Sequence, residues 1–160
     1  MSKISQCAIM KDLGVFISHD LKWAHHVNHL FKIGSLTSYQ ILKSFKSKNI
    51  WTLLKLYTTY VRPKLEYNSP IWNPHLKKDV LKIESVQRSF TRRACLRCGV
   101  PFSSYRDRLF KLNIKSLQYR RLVSDLILMF KIVNDLSHLN FMTFLLTVIF
   151  HMNLEALKIK

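Results

Sequence analysis

Apolar residues along most of this chain recur at spacings of three and four, the periodicity of an amphipathic α-helix. The clearest case is residues 49–62, for which Asn49 is a suitable N-cap. The apolar positions of this segment share one face: Ile50, Leu53, Leu54, Tyr57, Tyr60 and Val61. The same pattern predicts further helices over residues 22–46, 78–97, 104–112 and 117–135.

Residues 8–17 are apolar and partly β-branched, which predicts one short strand. Leu13 and Gly14 lie inside it and indicate a bulge or a close approach of another backbone. Only 3 Gly and 4 Pro occur in 160 residues, so long helices and few tight hairpins are expected. We therefore predict a mainly α fold, a helical bundle with a short N-terminal β element.

The predicted helix 78–97 divides into two faces of different chemistry. Val80, Ile83, Phe90 and Ala94 fall within one arc, which is typical of a core-facing stripe. The opposite arc is basic with interspersed serines, and consists of Lys78, Lys82, Ser85, Ser89, Arg92 and Arg93. Side chains of these types can follow a phosphate backbone, but none of them indicates base readout.

The chain is strongly basic, because it contains 26 Lys and Arg and only 9 Asp and Glu, which gives a net charge of +17. Such an excess points to a polyanionic partner such as nucleic acid, and the alternative is an ordinary solvated basic face. Lys43, Lys46 and Lys48 cluster where the first long helix ends. There they would favour the helix dipole or equally meet phosphates.

The cysteines and histidines do not indicate a metal site. Three cysteines without a secretory signal pattern suggest a reducing intracellular compartment, cytoplasmic or nuclear. Cys95 and Cys98 form a lone CxxC, whereas structural zinc needs four ligands. His25, His26 and His29 lack the intervening Glu of a metalloprotease helix, so we expect solvated surface histidines.

Residues 53–74, LLKLYTTYVRPKLEYNSPIWNP, resemble reverse transcriptases of non-LTR (LINE-type, jockey-like) retrotransposons, in the region following the catalytic palm. The resemblance continues upstream through KDLGVFI at residues 11–17 and LKW at residues 21–23. Downstream it continues through IESVQR at residues 83–88 and MFKI at residues 129–132. It covers roughly residues 8–135, and the shared order and spacing of short motifs carry it.

This resemblance implies a division into the end of the palm over residues 1–20, a thumb and post-thumb region over 21–135, and a divergent tail over 136–160. The primer-grip role falls on Leu13, Gly14 and Val15, or else this strand merely packs. The implied partners are the backbone of an RNA or DNA template–primer and the missing palm. Contact with that backbone is expected from a first set of cations and a second set of lysines: Lys78, Lys82, Arg88, Arg92 and Arg93, then Lys43, Lys46 and Lys48. Tyr57, Tyr60, Trp72 and Phe90 are expected to be core residues, not base-stacking platforms.

The chemistry of a polymerase is missing from these residues. Enzymes that resemble this chain hold Mg²⁺ with paired aspartates in the palm, and no Asp-Asp occurs in the 160 residues. We therefore expect no cofactor and no polymerase activity from this chain alone.

Two other interpretations remain open: a stand-alone small nucleic-acid-binding protein, and a non-functional transposon relic. The uncharged run Phe141–Met152 departs from the resemblance and is shorter than the roughly 20 residues of a membrane span, so no membrane partner is expected. The sequence sets no oligomeric state.

Overall fold

The computed structural model describes residues 8–101 and 103–138. The predicted mainly α class is confirmed. The predicted tail 136–160, with its apolar run Phe141–Met152, lies outside the described residues except for 136–138. The described helices and strands, in chain order, are β1 Ile9–Asp12, β2 Val15–Ser18, α1 Ala24–Ser44, α2 Ile50–Leu56, a π-helical segment Tyr57–Val61, α3 Arg62–Glu66, α4 Ser69–Trp72, α5 Lys77–Arg97, α6 Tyr105–Lys111 and α7 Leu117–Val133.

The N-terminal β element is a hairpin, so the prediction of one strand over residues 8–17 was wrong. β1 and β2 pair antiparallel from Ile9 opposite Ser18 to Asp12 opposite Val15. Leu13 (φ 41°) and Gly14 (φ 86°) form the two-residue turn between them. Positive φ at both positions is the geometry of a type I′ turn, which matches the twist of the flanking strands. Leu13 and Gly14, which the sequence suggested as a bulge or a close backbone approach, therefore form the turn at which the chain reverses direction.

The second predicted helix continues past Pro63 because a π-helical segment precedes this proline. The N–H of Arg62 donates to the carbonyl of Tyr57, five residues earlier. Pro63 has no N–H, and its ring would crowd a carbonyl of the preceding α-helical turn, so a wider turn accommodates it. The extra residue in that turn shifts the helical phase. Tyr60, predicted to be core, is consequently 56% exposed, while Val61 and Leu65 are fully buried.

The core lies mainly between α1 and α5, which run parallel to each other. Asn28 meets Lys82 near their N-terminal ends, and the carbonyl of Phe45 accepts from Arg97 at their C-terminal ends. Gly34 permits the close approach of α1 to α3 and α5, because a Cβ at this position would lie 2.7 Å from Leu65 Cδ2 and 3.3 Å from Val86 Cγ1. The predicted core residues Tyr57, Trp72 and Phe90 are all buried, and the Tyr57 and Phe90 rings stack 4.8 Å apart.

His26 belongs to this core, so the prediction of a solvated surface histidine was wrong for it. Its side chain is 1% exposed, and its ring meets the Trp72 ring edge-on at 5.0 Å. Its Nδ1 accepts from the N–H of Phe16 at 3.3 Å, which ties β2 to α1. Trp72 in turn donates from its indole nitrogen to the carbonyl of Tyr67 at 2.7 Å.

The predicted N-cap Asn49 is confirmed, and other helix ends are marked by a serine and a glycine. The Asn49 side chain accepts from the N–H of Trp51, and the Ser104 side chain accepts from the N–H of Asp107. Gly99 (φ 67°) ends α5, with Val100 donating to the carbonyl of Cys95 at 2.9 Å. This is the hydrogen bond of a Schellman motif.

The described residues fall into two compact units that divide between Arg121 and Leu122. The first contains the hairpin, α1 to α6 and the opening turn of α7; the second contains the rest of α7. A search of the described helices for an apolar stretch able to cross a lipid bilayer finds none.

Candidate nucleic-acid interface

The two acidic residues of α5 are buried, which leaves its outward face without a negative charge. Asp79 and Glu84 are each 6% exposed. The Glu84 carboxylate accepts from the backbone N–H groups of Leu117 at 3.3 Å and Gln118 at 3.1 Å. It therefore caps the N-terminus of α7, where a helix favours negative charge. Glu84 is accordingly unavailable to neutralise the cations on the other side of α5.

The cations of the predicted binding face lie where the sequence pattern places them. Lys78, Arg88, Arg92 and Arg93 are exposed, and Lys82 is half-buried. In the part of the chain that the structure describes, Lys22 pairs with Asp20, and Arg62 and Arg120 pair with Glu66. None of these involves a cation of α5. We call the outward surface formed by Lys78, Lys82, Arg88, Arg92 and Arg93 the α5 basic face.

This arrangement costs the isolated protein stability. Arg88 and Arg92, and likewise Arg93 and Arg97, are four residues apart on one helix. Like charges at that spacing destabilise a helix by about 0.2–0.5 kcal/mol per pair. A bound polyanion would offset this repulsion, because each arginine would then lie beside a negative charge.

Lys82 is fixed against α1 and does not extend freely into solvent. Its ammonium group donates to the side-chain oxygen of Asn28 and lies 5.5 Å from the centre of the Phe31 ring. These contacts place its charge at the edge between α1 and α5.

A groove of about 610 Å³ separates the α5 basic face from α6 and the segment before it. Its α5 wall carries Arg88, Arg92 and Arg93, and its other wall carries Tyr105 and Arg108. A second groove, of about 380 Å³, lies between α5 and α1. Ser85, Ser89 and Arg93 line both grooves, so they form the ridge between them.

A buried polar network holds Tyr105 in the wall of the larger groove. The Tyr105 hydroxyl donates to Glu84 and accepts from the side-chain amide of Gln87 at 3.1 Å. Gln87 also donates to the carbonyl of Lys115 and accepts from the hydroxyl of Tyr57, each at 3.0 Å. Burial, with the hydrogen bond to Glu84, raises the pKa of Tyr105 well above its usual range, so the phenol stays neutral.

The second predicted set of lysines lies at the C-terminal end of α1, close to the end of α5. Arg97 donates from Nη1 to the carbonyl of Phe45 at 2.7 Å, which brings the segment containing Lys46 and Lys48 beside the last turn of α5. Lys43 extends over the ring of Tyr39, 5.9 Å from its centre. Lys43, Lys46 and Lys48 are all exposed.

The predicted primer-grip residues lie at the hairpin turn and contact a different part of the fold. The carbonyl of Leu13 accepts from the Tyr67 hydroxyl at 3.2 Å, and Gly14 lies beside the same ring. Leu13 is 80% exposed, whereas Val15 is 3% exposed and packs in the core. Of these three residues, only Leu13 and Gly14 present accessible surface.

Arg108 and Tyr105 belong to this site although the sequence did not single them out as binding residues. Arg108 lies four residues after the helix cap Ser104, so it lies one helical turn along on the same side of α6. Nothing in the sequence indicates that Arg108 is buried, with only 6% of its surface exposed. That property depends on the packing of α6 against α5.

Among residues 8–101 and 103–138, no group of three or more His, Cys, Asp or Glu side chains could hold a metal ion. Cys95 is buried and Cys98 half-buried, and both are free thiols. Burial raises the pKa of both thiols.

Comparison with known proteins gives one relative and no activity. The chain is 32% identical over 126 residues to an uncharacterized protein of Caenorhabditis elegans. The alignment covers 79% of this chain, and the chain spans 64% of the length of that protein. No protein-family model matches the chain, and no solved structure matches it.

Proposed function

We propose that this chain binds the phosphate backbone of nucleic acid through the α5 basic face and the groove beside it. The observation that carries the proposal is the separation of charge on α5. Asp79 and Glu84 are turned into the protein, and the cations remain outside without an ion pair among the described residues.

The chemistry of the surface favours phosphates over bases. Arginine, lysine and serine side chains supply donors for phosphate oxygens. Tyr57, Trp72 and Phe90 are buried and so do not offer stacking platforms, and the exposed Tyr60 belongs to the π-helical segment and not to α5. Binding is therefore proposed to tolerate any sequence and to weaken steeply with salt.

We further propose that this surface serves as the thumb-like part of a non-LTR retrotransposon reverse transcriptase. This step rests on the resemblance of residues 8–135, and the predominance of helices is compatible with it. Template–primer would be held here while a palm supplies the Mg²⁺-binding aspartates, which do not occur as a pair in these 160 residues. The chain alone is proposed to bind and not to polymerise.

A stand-alone nucleic-acid-binding protein is a second candidate, and one observation favours it. Val27, Leu53, Leu65 and Ile83 are fully buried by contacts within this chain. Because these residues are buried without a palm, the binding surface could operate on its own. Both candidates use the same surface, whereas a relic would need neither folding nor binding.

The test is fluorescence anisotropy of a labelled RNA–DNA hybrid duplex titrated with the full chain at low salt. Lys82→Glu combined with Arg92→Glu reverses two charges of the α5 basic face and should weaken binding by at least about tenfold. Lys64→Glu, on α3, reverses an exposed charge away from this face and should have a much smaller effect. A loss in Lys64→Glu that is as large per reversed charge as the loss in the double variant would show that only overall charge matters and would refute the assigned surface.

A further inference from the structure

Arg108 is a buried cation for which the described part of the chain supplies no anion. Its side chain is 6% exposed, and none of the ion pairs includes it. Its Nη1 donates to the carbonyl of Ser103 at 2.6 Å, while its Nε is buried and has no hydrogen-bond partner among the described residues. The nearby Ser103 hydroxyl is buried and unpartnered in the same sense. Burying a charge is unfavourable unless it is paired.

The nearest acidic residues are committed to other partners. Glu84 takes the N–H groups that open α7 together with the Tyr105 hydroxyl. Asp107 accepts from the Ser104 hydroxyl at 2.7 Å and is exposed, as part of the cap of α6. The hydrogen bond from Ser104 keeps the pKa of Asp107 below its usual range, so it remains a satisfied, charged acceptor at that helix end.

A second arginine converges on the same place. The guanidinium carbon of Arg88 lies 5.0 Å from the centre of the Tyr105 ring, and that of Arg108 lies 5.7 Å from it. Both charges are therefore gathered around one neutral ring that the Gln87 and Glu84 hydrogen bonds hold in place. Arg92 lines the same groove and raises its positive potential further.

We propose that this groove is a phosphate-binding site in which Arg108, assisted by Arg88 and Ser103, receives one phosphate group of a nucleic-acid strand. The proposal deepens the proposed function and rests on it for the source of the phosphate. A tetrahedral oxyanion supplies acceptors for planar guanidinium donors and for a hydroxyl. The volume of about 610 Å³ leaves space for the adjoining sugar.

The first experiment uses inorganic phosphate as the probe. Thermal unfolding of the full chain is measured in phosphate and in chloride at equal ionic strength. Arg106→Gln is the matched control, because it removes the same charge from an exposed position on the same helix. Phosphate should raise Tm of the wild type and of Arg106→Gln, and this rise should disappear in Arg108→Gln. General salting effects on Tm would act on all three proteins alike.

An equal phosphate-dependent rise in Arg108→Gln and Arg106→Gln, or none in the wild type, would overturn the site. If Arg108→Gln does not fold, Arg88→Gln replaces it, since Arg88 is exposed and its loss should leave folding intact while at least halving the rise.

The second experiment separates failure of the site from failure of the proposed function. Binding of a 5′-phosphorylated and an unphosphorylated oligonucleotide is compared for the wild type, Arg108→Gln and Arg106→Gln. A several-fold loss for both oligonucleotides in Arg108→Gln alone assigns the site to internal phosphates, and a loss for the phosphorylated one alone assigns it to a terminal phosphate. Tight wild-type binding that Arg108→Gln leaves unchanged would overturn the site but keep the function. An Arg108-dependent response to inorganic phosphate without oligonucleotide binding would keep the site and overturn the function.

Discussion

Protonation of His26 should destabilise this protein at mildly acidic pH. The imidazole is 1% exposed, its Nδ1 is occupied by the N–H of Phe16, and its Nε2 is buried without a hydrogen-bond partner among the described residues. Burial, with smaller contributions from His29 and His25, lowers the pKa of His26 from 6.5 to about 4. Because Nδ1 accepts the hydrogen bond from Phe16, the neutral imidazole carries its hydrogen on Nε2. A second proton must therefore add at Nδ1, where it would break the bond from Phe16 and leave an unpaired charge inside the core.

The sign and size follow from proton binding in the two states. Between the folded pKa of about 4 and the unfolded value of 6.5, the unfolded chain binds more protons than the folded chain. The free energy of unfolding therefore falls as pH decreases through this window, and the full contribution is present only above it. The loss from His26 alone amounts to about 2 kcal/mol at about pH 5, relative to about pH 8.

The assay is urea unfolding of the wild type and His26→Gln at these two pH values, followed by circular dichroism. His26→Gln keeps an acceptor for the N–H of Phe16 but cannot titrate, so its unfolding free energy should fall by about 2 kcal/mol less than that of the wild type. His19→Gln, at an exposed position, should behave like the wild type. His29, whose pKa burial also lowers, remains in all three proteins and cancels in the comparison. The same pH dependence in the wild type and His26→Gln would refute the reasoning.

Two further substitutions test the packing that supports the binding surface. Gly34→Ala should destabilise the protein by about 1–2 kcal/mol in urea unfolding, because the new Cβ meets the fully buried Leu65 and the crowding exceeds the gain in helix propensity. Gln40→Ala, at an exposed position of α1, should leave the stability unchanged or raise it. An equal loss of stability in the two variants would contradict the close contact at Gly34. Glu84→Gln should cost about 1–3 kcal/mol, since a neutral amide caps α7 less well and no longer accepts the Tyr105 hydrogen bond as strongly. A stability equal to that of the wild type by thermal melting would show that the Glu84 charge does not hold α7.

The long helices could be predicted from the sequence because each supplies many periodic positions and recognisable ends. α5 is the best example, with Ile83, Phe90 and Ala94 of its apolar arc buried, its basic arc outside and Gly99 at its end. The hairpin could not be predicted from the sequence, because strands of four residues show too little alternation of apolar and polar positions. In addition, Leu13-Gly14 is not a common residue pair for a type I′ turn. The side of the helix on which Tyr60 lies could not be predicted either, because it depends on the π-helical segment before Pro63. A proline disturbs a helix, but the sequence does not show that a π-helical turn will accommodate it.

The candidate site was predicted on α5 and missed on α6. A one-helix pattern identifies Arg92 as outward-facing, whereas the burial of Arg108 and His26 arises only when distant elements pack together. The inward turn of Glu84 was missed for the same reason, since its partners at Leu117 and Gln118 are more than thirty residues away. Charge on a helix face is thus readable locally, but the absence of a counter-charge is a tertiary property.

The salt dependence of binding tests the central claim most directly. Affinity for an RNA–DNA hybrid duplex is measured by anisotropy between about 50 and 200 mM salt for the wild type and for Arg92→Gln with Arg93→Gln. Four or five phosphates contacted by the α5 basic face predict a slope of log affinity against log salt of about −4, and the double variant should lose roughly 2 from its magnitude. No binding at the lowest salt, or an unchanged slope in the double variant, would contradict the account.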